Sequence, residues 1–130
     1  MMNAFLRRAR TASRTAAHLI EYGDPIAAGS RVYYAVFDAM RAVLDHQGID
    51  TADIKTHHGL ILSSEMNVVK PGRVPREIAR VIQKAAELRW ASDYSPESDV
   101  SADNVRTTLH EVSIFIDACA AIVEKGTDAP

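Results

Sequence analysis

The spacing of apolar residues restricts the fold of this chain more than any other feature. Apolar positions recur every three or four residues from one end to the other, and near the carboxyl terminus they are Val105, Leu109, Val112, Ile116, Cys119 and Ile122. This interval places side chains on one face of an α-helix, whereas a half-buried strand alternates at every second residue. No stretch of the sequence alternates in that way. The pattern therefore predicts an all-α protein.

Capping and turn residues divide the pattern into segments. Gly23 stands where a left-handed helix C-cap belongs, and Asp24-Pro25 then supplies an N-cap and a first-turn proline. Gly48 and the Pro71-Gly72 pair mark later breaks. The predicted helices cover 3–22, 25–46, 56–66, 75–93 and a last segment that Ser101 caps, with a loop at 95–98 and a disordered tail at 126–130. We expect one domain, residues 1–130, built as an up-and-down antiparallel bundle of four to five helices.

Composition excludes several classes of protein. The 130 residues are 47% hydrophobic and carry a formal net charge of −2, so any contact with nucleic acid needs a local basic patch rather than a positive overall field. No apolar run reaches the roughly 18 residues that span a bilayer. Phosphate-binding glycine loops, nucleophile elbows and zinc-ligand spacings are absent. The single cysteine, Cys119, fits a buried small hydrophobe in a reducing cytoplasm, and we expect a cytoplasmic protein with no membrane contact, metal or cofactor.

A line of polar residues follows the second predicted helix at steps of three and four: Arg31, Tyr34, Asp38, Arg41 and Asp45. It lies beside the apolar face of the same helix. One interpretation is a solvated surface held by Asp38–Arg41 and Arg41–Asp45 ion pairs, each worth about 0.3–0.5 kcal/mol. The other is a groove of guanidiniums, a phenol and a carboxylate that suits a phosphodiester or a nucleotide phosphate.

Three segments, in order along the chain, carry a family resemblance. The second predicted helix contains Arg31-Val32-Tyr33-Tyr34-Ala35 after a run of small residues, and the next loop contains Lys55-Thr56-His57. The fourth predicted helix ends in an arginine followed by Asp93-Tyr94, with Arg89 four residues before Asp93. Together these segments resemble one branch of the small prokaryotic HEPN-domain proteins.

This resemblance implies a helical bundle that forms homodimers. It also implies, for many members, a metal-independent ribonuclease that serves as the toxin beside a small nucleotidyltransferase antitoxin. Ribonuclease members usually carry Arg-x(4–6)-His late in the chain, but here Arg89 is followed by Asp93 and Tyr94. An Arg-x(4)-His occurs early instead, at Arg41 and His46. Residues five apart in an unbroken helix point about 140° apart, so this pair converges only if the helix unwinds before His46.

The candidate site residues follow from the motifs and the resemblance. In metal-free RNA cleavage a neutral histidine accepts the proton of the 2′-hydroxyl, and an arginine stabilises the charged phosphorane. The catalytic candidates are Arg41, His46 and His57, with Arg89 as a second stabiliser, and the candidates for binding RNA or a nucleotide are Arg31, Tyr34, Arg89, Asp93 and Tyr94. Two other functions stay open, namely a non-catalytic dimeric adaptor and a nucleotide-binding subunit without nuclease activity.

Structural roles compete with these assignments. His57 can be a polar residue at a helix start, and Arg89 and Asp93, four apart, can form an ion pair that holds the following chain reversal. Trp90 is expected in the core or at a dimer interface rather than as a base-stacking platform. Gly29 costs about 1 kcal/mol in a helix interior, which predicts a close helix–helix crossing within the bundle or across a dimer.

A basic face is predicted on the first helix. Arg7, Arg10 and Arg14 lie at three- and four-residue steps, with Arg8 beside them. Such a face can hold RNA or an acidic partner, and it can equally be ordinary solvated surface.

Overall fold

The computed structural model describes residues 3–94 and 100–125. Its α-helices are α1 (Ala4–Tyr22), α2 (Pro25–His46), α3 (His57–Ser64), α4 (Arg76–Ala79), α5 (Val81–Tyr94) and α6 (Ala102–Lys125). A short 3₁₀ turn at Thr51–Asp53 precedes α3, and a π-helical turn at Glu65–Val69 follows it. No strand occurs in these described ranges, and the predicted all-α fold is confirmed.

The predicted caps set the boundary between α1 and α2. Gly23 adopts a left-handed φ of 101°, and its N–H donates to the carbonyls of Leu19 and Ile20. The Asp24 side chain accepts a hydrogen bond from the N–H of Ala27 at 3.1 Å, and Pro25 occupies the first turn. The chain therefore reverses within two residues, and α1 packs along α2.

Helix α2 is the centre of the bundle. It packs against α1, α5 and α6, and its interior positions are buried on more than one side. The largest fully buried side chains include Leu6, Val36, Leu44, Phe115 and Ile122, so the core lies between α1, α2 and α6. Cys119 is buried among them, as predicted. None of the helices in the described part of the chain is long and apolar enough to cross a bilayer.

Two helix boundaries differ from the sequence prediction. The third helix was predicted to end at Met66, but its α-helical part ends at Ser64. Beyond Ser64 the chain forms a wider π-helical turn, in which the N–H of Lys70 donates to the carbonyl of Glu65. The fourth is divided at Arg80, whose ψ of −24° is typical of a 3₁₀ turn and interrupts the α-helical ladder for one residue. The predicted loop at 95–98 and tail at 126–130 lie outside the described residues.

Gly29 explains how closely α2 approaches α5. A Cβ atom at this position would collide with the Ser92 hydroxyl and lie 3.3 Å from Cγ of Leu88. The crossing predicted for Gly29 therefore occurs within the bundle. It brings the last turns of α5 against the first half of α2.

We predict that Gly29→Ala destabilises the protein despite the better helix propensity of alanine. Overpacking costs about 1–3 kcal/mol, against about 1 kcal/mol gained from propensity. Ser92→Ala removes the colliding hydroxyl, which has no hydrogen-bond partner among the described residues, and should by itself change stability little.

The double variant Gly29→Ala/Ser92→Ala should therefore recover most of the stability that Gly29→Ala loses. Urea unfolding followed by circular dichroism measures the free energy of unfolding of the two single variants and the double variant. A Gly29→Ala variant as stable as the parent, with no coupling to Ser92→Ala, would show that the two helices do not press on each other here.

Candidate functional site

The start of α3 places His57 against aromatic side chains of α2. The Thr56 hydroxyl accepts a hydrogen bond from the N–H of Gly59 at 2.9 Å, so the helix begins at His57. The imidazole then packs on two rings of α2, with its centroid 4.6 Å from that of Phe37 and 5.2 Å from that of Tyr33. The apolar face of α2 thus forms the floor of a small cluster.

Arg89 of α5 completes this cluster. Its Nη1 lies 2.6 Å from Nδ1 of His57. A guanidinium has only donors, so Nδ1 must be the acceptor, which makes the imidazole neutral with its proton on Nε2. The close approach of α2 and α5 at Gly29 is what brings Arg89 within reach.

Two further polar groups hold Arg89 in place. Its Nε lies 3.3 Å from Oδ2 of Asp93, an ion pair four residues along the helix, although this N–H is not aligned for a hydrogen bond. Asp93 also accepts a hydrogen bond from Oγ of Ser30 on α2, at 3.1 Å. The predicted pairing of Arg89 with Asp93 is therefore present, and it extends into a chain that runs from Ser30 through Asp93 and Arg89 to His57.

Burial and charge lower the pKa of His57 below its usual value. Desolvation against the aromatic floor is the main cause, and the positive charges of Arg89 and Arg41 add to it. Proton binding to this ring would place a third cation beside two arginines. His57 is therefore neutral at neutral pH, the state that a general base requires.

Tyr33 lies beneath the guanidinium of Arg89, whose Cζ is 5.0 Å from the ring centroid. Burial raises the pKa of the phenol, and the neighbouring Arg89 opposes that rise. The phenol stays protonated at neutral pH and supplies a polar edge below the cluster. Tyr33 was not among the predicted site residues, because its four-residue spacing to Phe37 is typical of the apolar face.

The Arg41 and His46 side chains are not brought together. Arg41 lies over the ring of Phe37, with Cζ 4.8 Å from the centroid, and close to Phe5 of α1. His46 is exposed at the end of α2, which remains helical to that residue. Among the described residues no hydrogen bond joins the two, so the geometry groups Arg41 with His57 rather than with His46.

Asp38 is buried between α1 and α2, so the polar line on α2 is only partly a solvated surface. Its Oδ2 lies 3.8 Å from Nε of Arg8, and among the described residues neither pair of the solvated-surface interpretation, Asp38–Arg41 or Arg41–Asp45, is formed. Burial raises the pKa of Asp38, while the charges of Arg8 and Arg41 oppose the rise. Sequence spacing within α2 alone could not show a partner that lies on another helix.

A cleft of about 490 Å³ opens between α1 and α2 on the same side of the molecule. Its lining residues are mostly polar: Arg7, Arg8, Thr11, Ala12, Thr15, Arg31, Tyr34 and Asp38. Tyr34 also contacts the first cluster, since Cζ of Arg89 lies 5.8 Å from its ring centroid and Cζ of Arg31 lies 5.7 Å from it. The cleft and the His57–Arg89 cluster therefore share one edge.

Trp90 and Tyr94 form an exposed aromatic pair on α5, with ring centroids 6.3 Å apart. Trp90 is 61% exposed, so it does not lie in the core, and the dimer interface, the other predicted place for it, stays a prediction. The helical rotation beyond Arg89 directs it away from α2. Tyr94 is exposed as well and makes no contact with His57 among the described residues.

Metal binding receives no support from the arrangement of ligands. In residues 3–94 and 100–125 no three histidine, cysteine, aspartate or glutamate side chains gather as a cation site would require. His58 follows His57 in the helix but is exposed, so the two rings do not face a common point.

We predict that the NMR titration of His57 has its midpoint below 6.5, and that Arg89→Gln raises it. The removed charge is the second cause of the lowered pKa, and desolvation remains, so the midpoint should rise without passing 6.5. Arg106→Gln removes one positive charge from an exposed pair on α6 and should leave it unchanged. A midpoint at or above 6.5 in the parent would contradict this environment for His57.

Comparison with known proteins agrees with the fold and the motifs. A family model described as "HEPN domain" matches residues 2–124. The "UPF0332 protein" of Thermotoga maritima is 27% identical over 118 residues, which cover 91% of this chain and 87% of that protein. "Putative toxin MJ0605" of Methanocaldococcus jannaschii is 28% identical over 96 residues, which cover 74% of this chain and 66% of that protein.

The family match covers nearly all the residues that the structure describes, and it includes every element of the cluster and of the cleft. The resemblance drawn from the motifs is therefore confirmed. The chain belongs to the HEPN-domain family.

Proposed function

We propose that this chain is a toxin-type HEPN protein that cleaves RNA without a metal ion, with His57 as the base and Arg89 as the phosphate-stabilising cation. The observation that carries the proposal is the 2.6 Å contact between Nη1 of Arg89 and Nδ1 of His57, at the edge of a cleft rich in arginine. The similarity to a protein named as a toxin adds support.

Cleavage would begin when the phosphate draws Arg89 away from His57. The guanidinium then donates to the phosphate oxygens, and the freed Nδ1 accepts the proton of the adjacent 2′-hydroxyl. The 2′-oxygen attacks phosphorus, and the bond to the 5′-oxygen breaks. The imidazolium returns its proton to that leaving oxygen. The products are a 2′,3′-cyclic phosphate and a 5′-hydroxyl, and no electrons are gained or lost.

The surrounding charges suit this sequence of events. Arg41 lies on the aromatic floor and adds positive charge without a carboxylate partner among the described residues. Asp93 holds Arg89 at rest and can accept it again after product release. We extend the proposal to a homodimer, and to a small nucleotidyltransferase as the partner that restrains the toxin.

A second function, a non-catalytic adaptor, is favoured by one specific observation. At rest the Arg89 N–H occupies Nδ1, which leaves His57 with a proton on Nε2 and no free basic nitrogen. If RNA does not displace Arg89, the chain from Ser30 to His57 only ties α3 and α5 to α2. Cleavage assays separate the two functions.

We predict that the purified protein cleaves single-stranded RNA in the presence of EDTA, and that His57→Ala lowers the rate at least ~100-fold through loss of the general base. Arg89→Ala should cause a loss of similar order, about 100- to 1,000-fold, as expected for one stabilising donor. His110→Ala, an exposed histidine on α6, should leave the rate unchanged.

The variant Arg41→Ala/His46→Ala locates the site. A smaller loss than that of His57→Ala is expected if His57 and Arg89 carry the reaction. Complete loss in this variant with an active His57→Ala protein would place the chemistry at the end of α2. If folded parent protein cleaves no RNA, the adaptor function gains and the ribonuclease proposal fails.

A further inference from the structure

We propose that the α1–α2 cleft is a binding subsite for a non-scissile phosphate of single-stranded RNA, with Tyr34 as the platform on which the adjoining base stacks. The inference rests on the proposed function in one respect, which is that RNA is the ligand. It concerns binding rather than cleavage, and its test is independent of catalysis.

The charges of the cleft are not neutralised within the protein. Arg7 and Arg31 are exposed, and neither forms an ion pair with a carboxylate in the part of the chain that the structure describes. Arg10, by contrast, pairs with Asp117 at 3.2 Å. The two unpaired guanidiniums face one cavity from different helices, the arrangement that an anion of two or more oxygens requires.

The one carboxylate that lines the cleft does not cancel this charge. Asp38 is 7% exposed and lies beside Arg8, whose own side chain remains largely in solvent. The charges of Asp38 and Arg8 nearly cancel at the floor of the cleft. The net positive charge of the cleft therefore comes from Arg7 and Arg31 at its rim. A phosphate at the rim would meet both cations and avoid direct contact with the buried oxygen atoms.

Tyr34 selects RNA over an acidic protein segment. Tyr34 is 38% exposed, and its ring centroid lies 5.7 Å from Cζ of Arg31 and 5.8 Å from Cζ of Arg89. Two cations beside one partly exposed aromatic ring suit the phosphates and the base of a nucleotide chain. A peptide of aspartate and glutamate offers carboxylates but no planar base for the ring, and a base is free to stack only in an unpaired strand.

The two sites together define a path. The scissile phosphate would lie at Arg89 and His57, the base would stack on Tyr34, and the next phosphate would enter the cleft at Arg31 and Arg7. Helix α1 therefore contributes to RNA binding through Arg7, while Arg10 and Arg14 of the predicted basic face are engaged with Asp117 and Thr11.

The test measures binding of a labelled, 2′-O-methylated oligouridylate by fluorescence anisotropy at several salt concentrations. This probe lacks the attacking hydroxyl, so binding is measured without cleavage. Each phosphate contact to a single strand contributes about 0.7 to the slope of log affinity against log salt. We expect Arg7→Gln and Arg31→Gln each to reduce the slope by about 0.7, and Arg106→Gln, with the same change in net charge, to leave it unchanged.

A second comparison tests the stacking platform. Tyr34→Ala should weaken binding roughly 5- to 150-fold, whereas Tyr34→Phe keeps the ring and should bind as the parent does. A duplex of the same length and a polyglutamate chain should both bind more weakly than the single strand.

Three results would overturn the inference: an unchanged slope in both arginine variants, equal binding of polyglutamate, or no binding of the oligouridylate at all. Failure of the ribonuclease proposal looks different, because a protein that binds with these slopes but never cleaves RNA keeps the subsite and loses only the catalytic role of His57. If RNA is cleaved but both slopes are unchanged, the ribonuclease proposal stands and the subsite is lost.

Discussion

The close packing of α2 on α5 is the constraint on which the candidate site depends. Because position 29 has no side chain, the Leu88–Ser92 turn of α5 comes into contact with the α2 backbone. The same approach places Arg89 over Tyr33 and Asp93 beside Ser30. A wider separation of these two helices would leave Arg89 in solvent, and His57 would then lose its hydrogen-bond partner.

An aromatic floor beneath charged groups gives the site its electrostatic character. Tyr33 and Phe37 exclude water from one side of His57, and two guanidiniums stand over the same rings. Desolvation and like charge act in the same direction on this histidine, so both favour the neutral ring. Arg89 is held by Tyr33 and by Asp93, and Asp93 is exposed. Under the proposed function, a phosphate that draws Arg89 away would therefore leave no buried carboxylate without a partner.

The site also shows how one residue can join two surfaces. Tyr34 contributes to the α1–α2 cleft and approaches Arg89 of the His57 cluster. Its neighbour Tyr33 points into the bundle, because successive helical residues are rotated by about 100°. The Tyr33-Tyr34 pair of the family motif therefore has two distinct uses, one in supporting the cluster and one at the surface.

Periodicity, caps and the position of Gly29 were enough to determine an all-α bundle, the starts of α1, α2, α3 and α6, and the existence of a close crossing, because these properties depend on residues near each other in the chain. The motifs determined the family for the same reason. Tertiary structure alone decided that His57 meets Arg89, 32 residues away, and that Asp38 pairs with Arg8 instead of Arg41. Spacing along one helix cannot report the side chains of another, so it could show neither Arg89 as the partner of His57 nor Arg8 as the partner of Asp38.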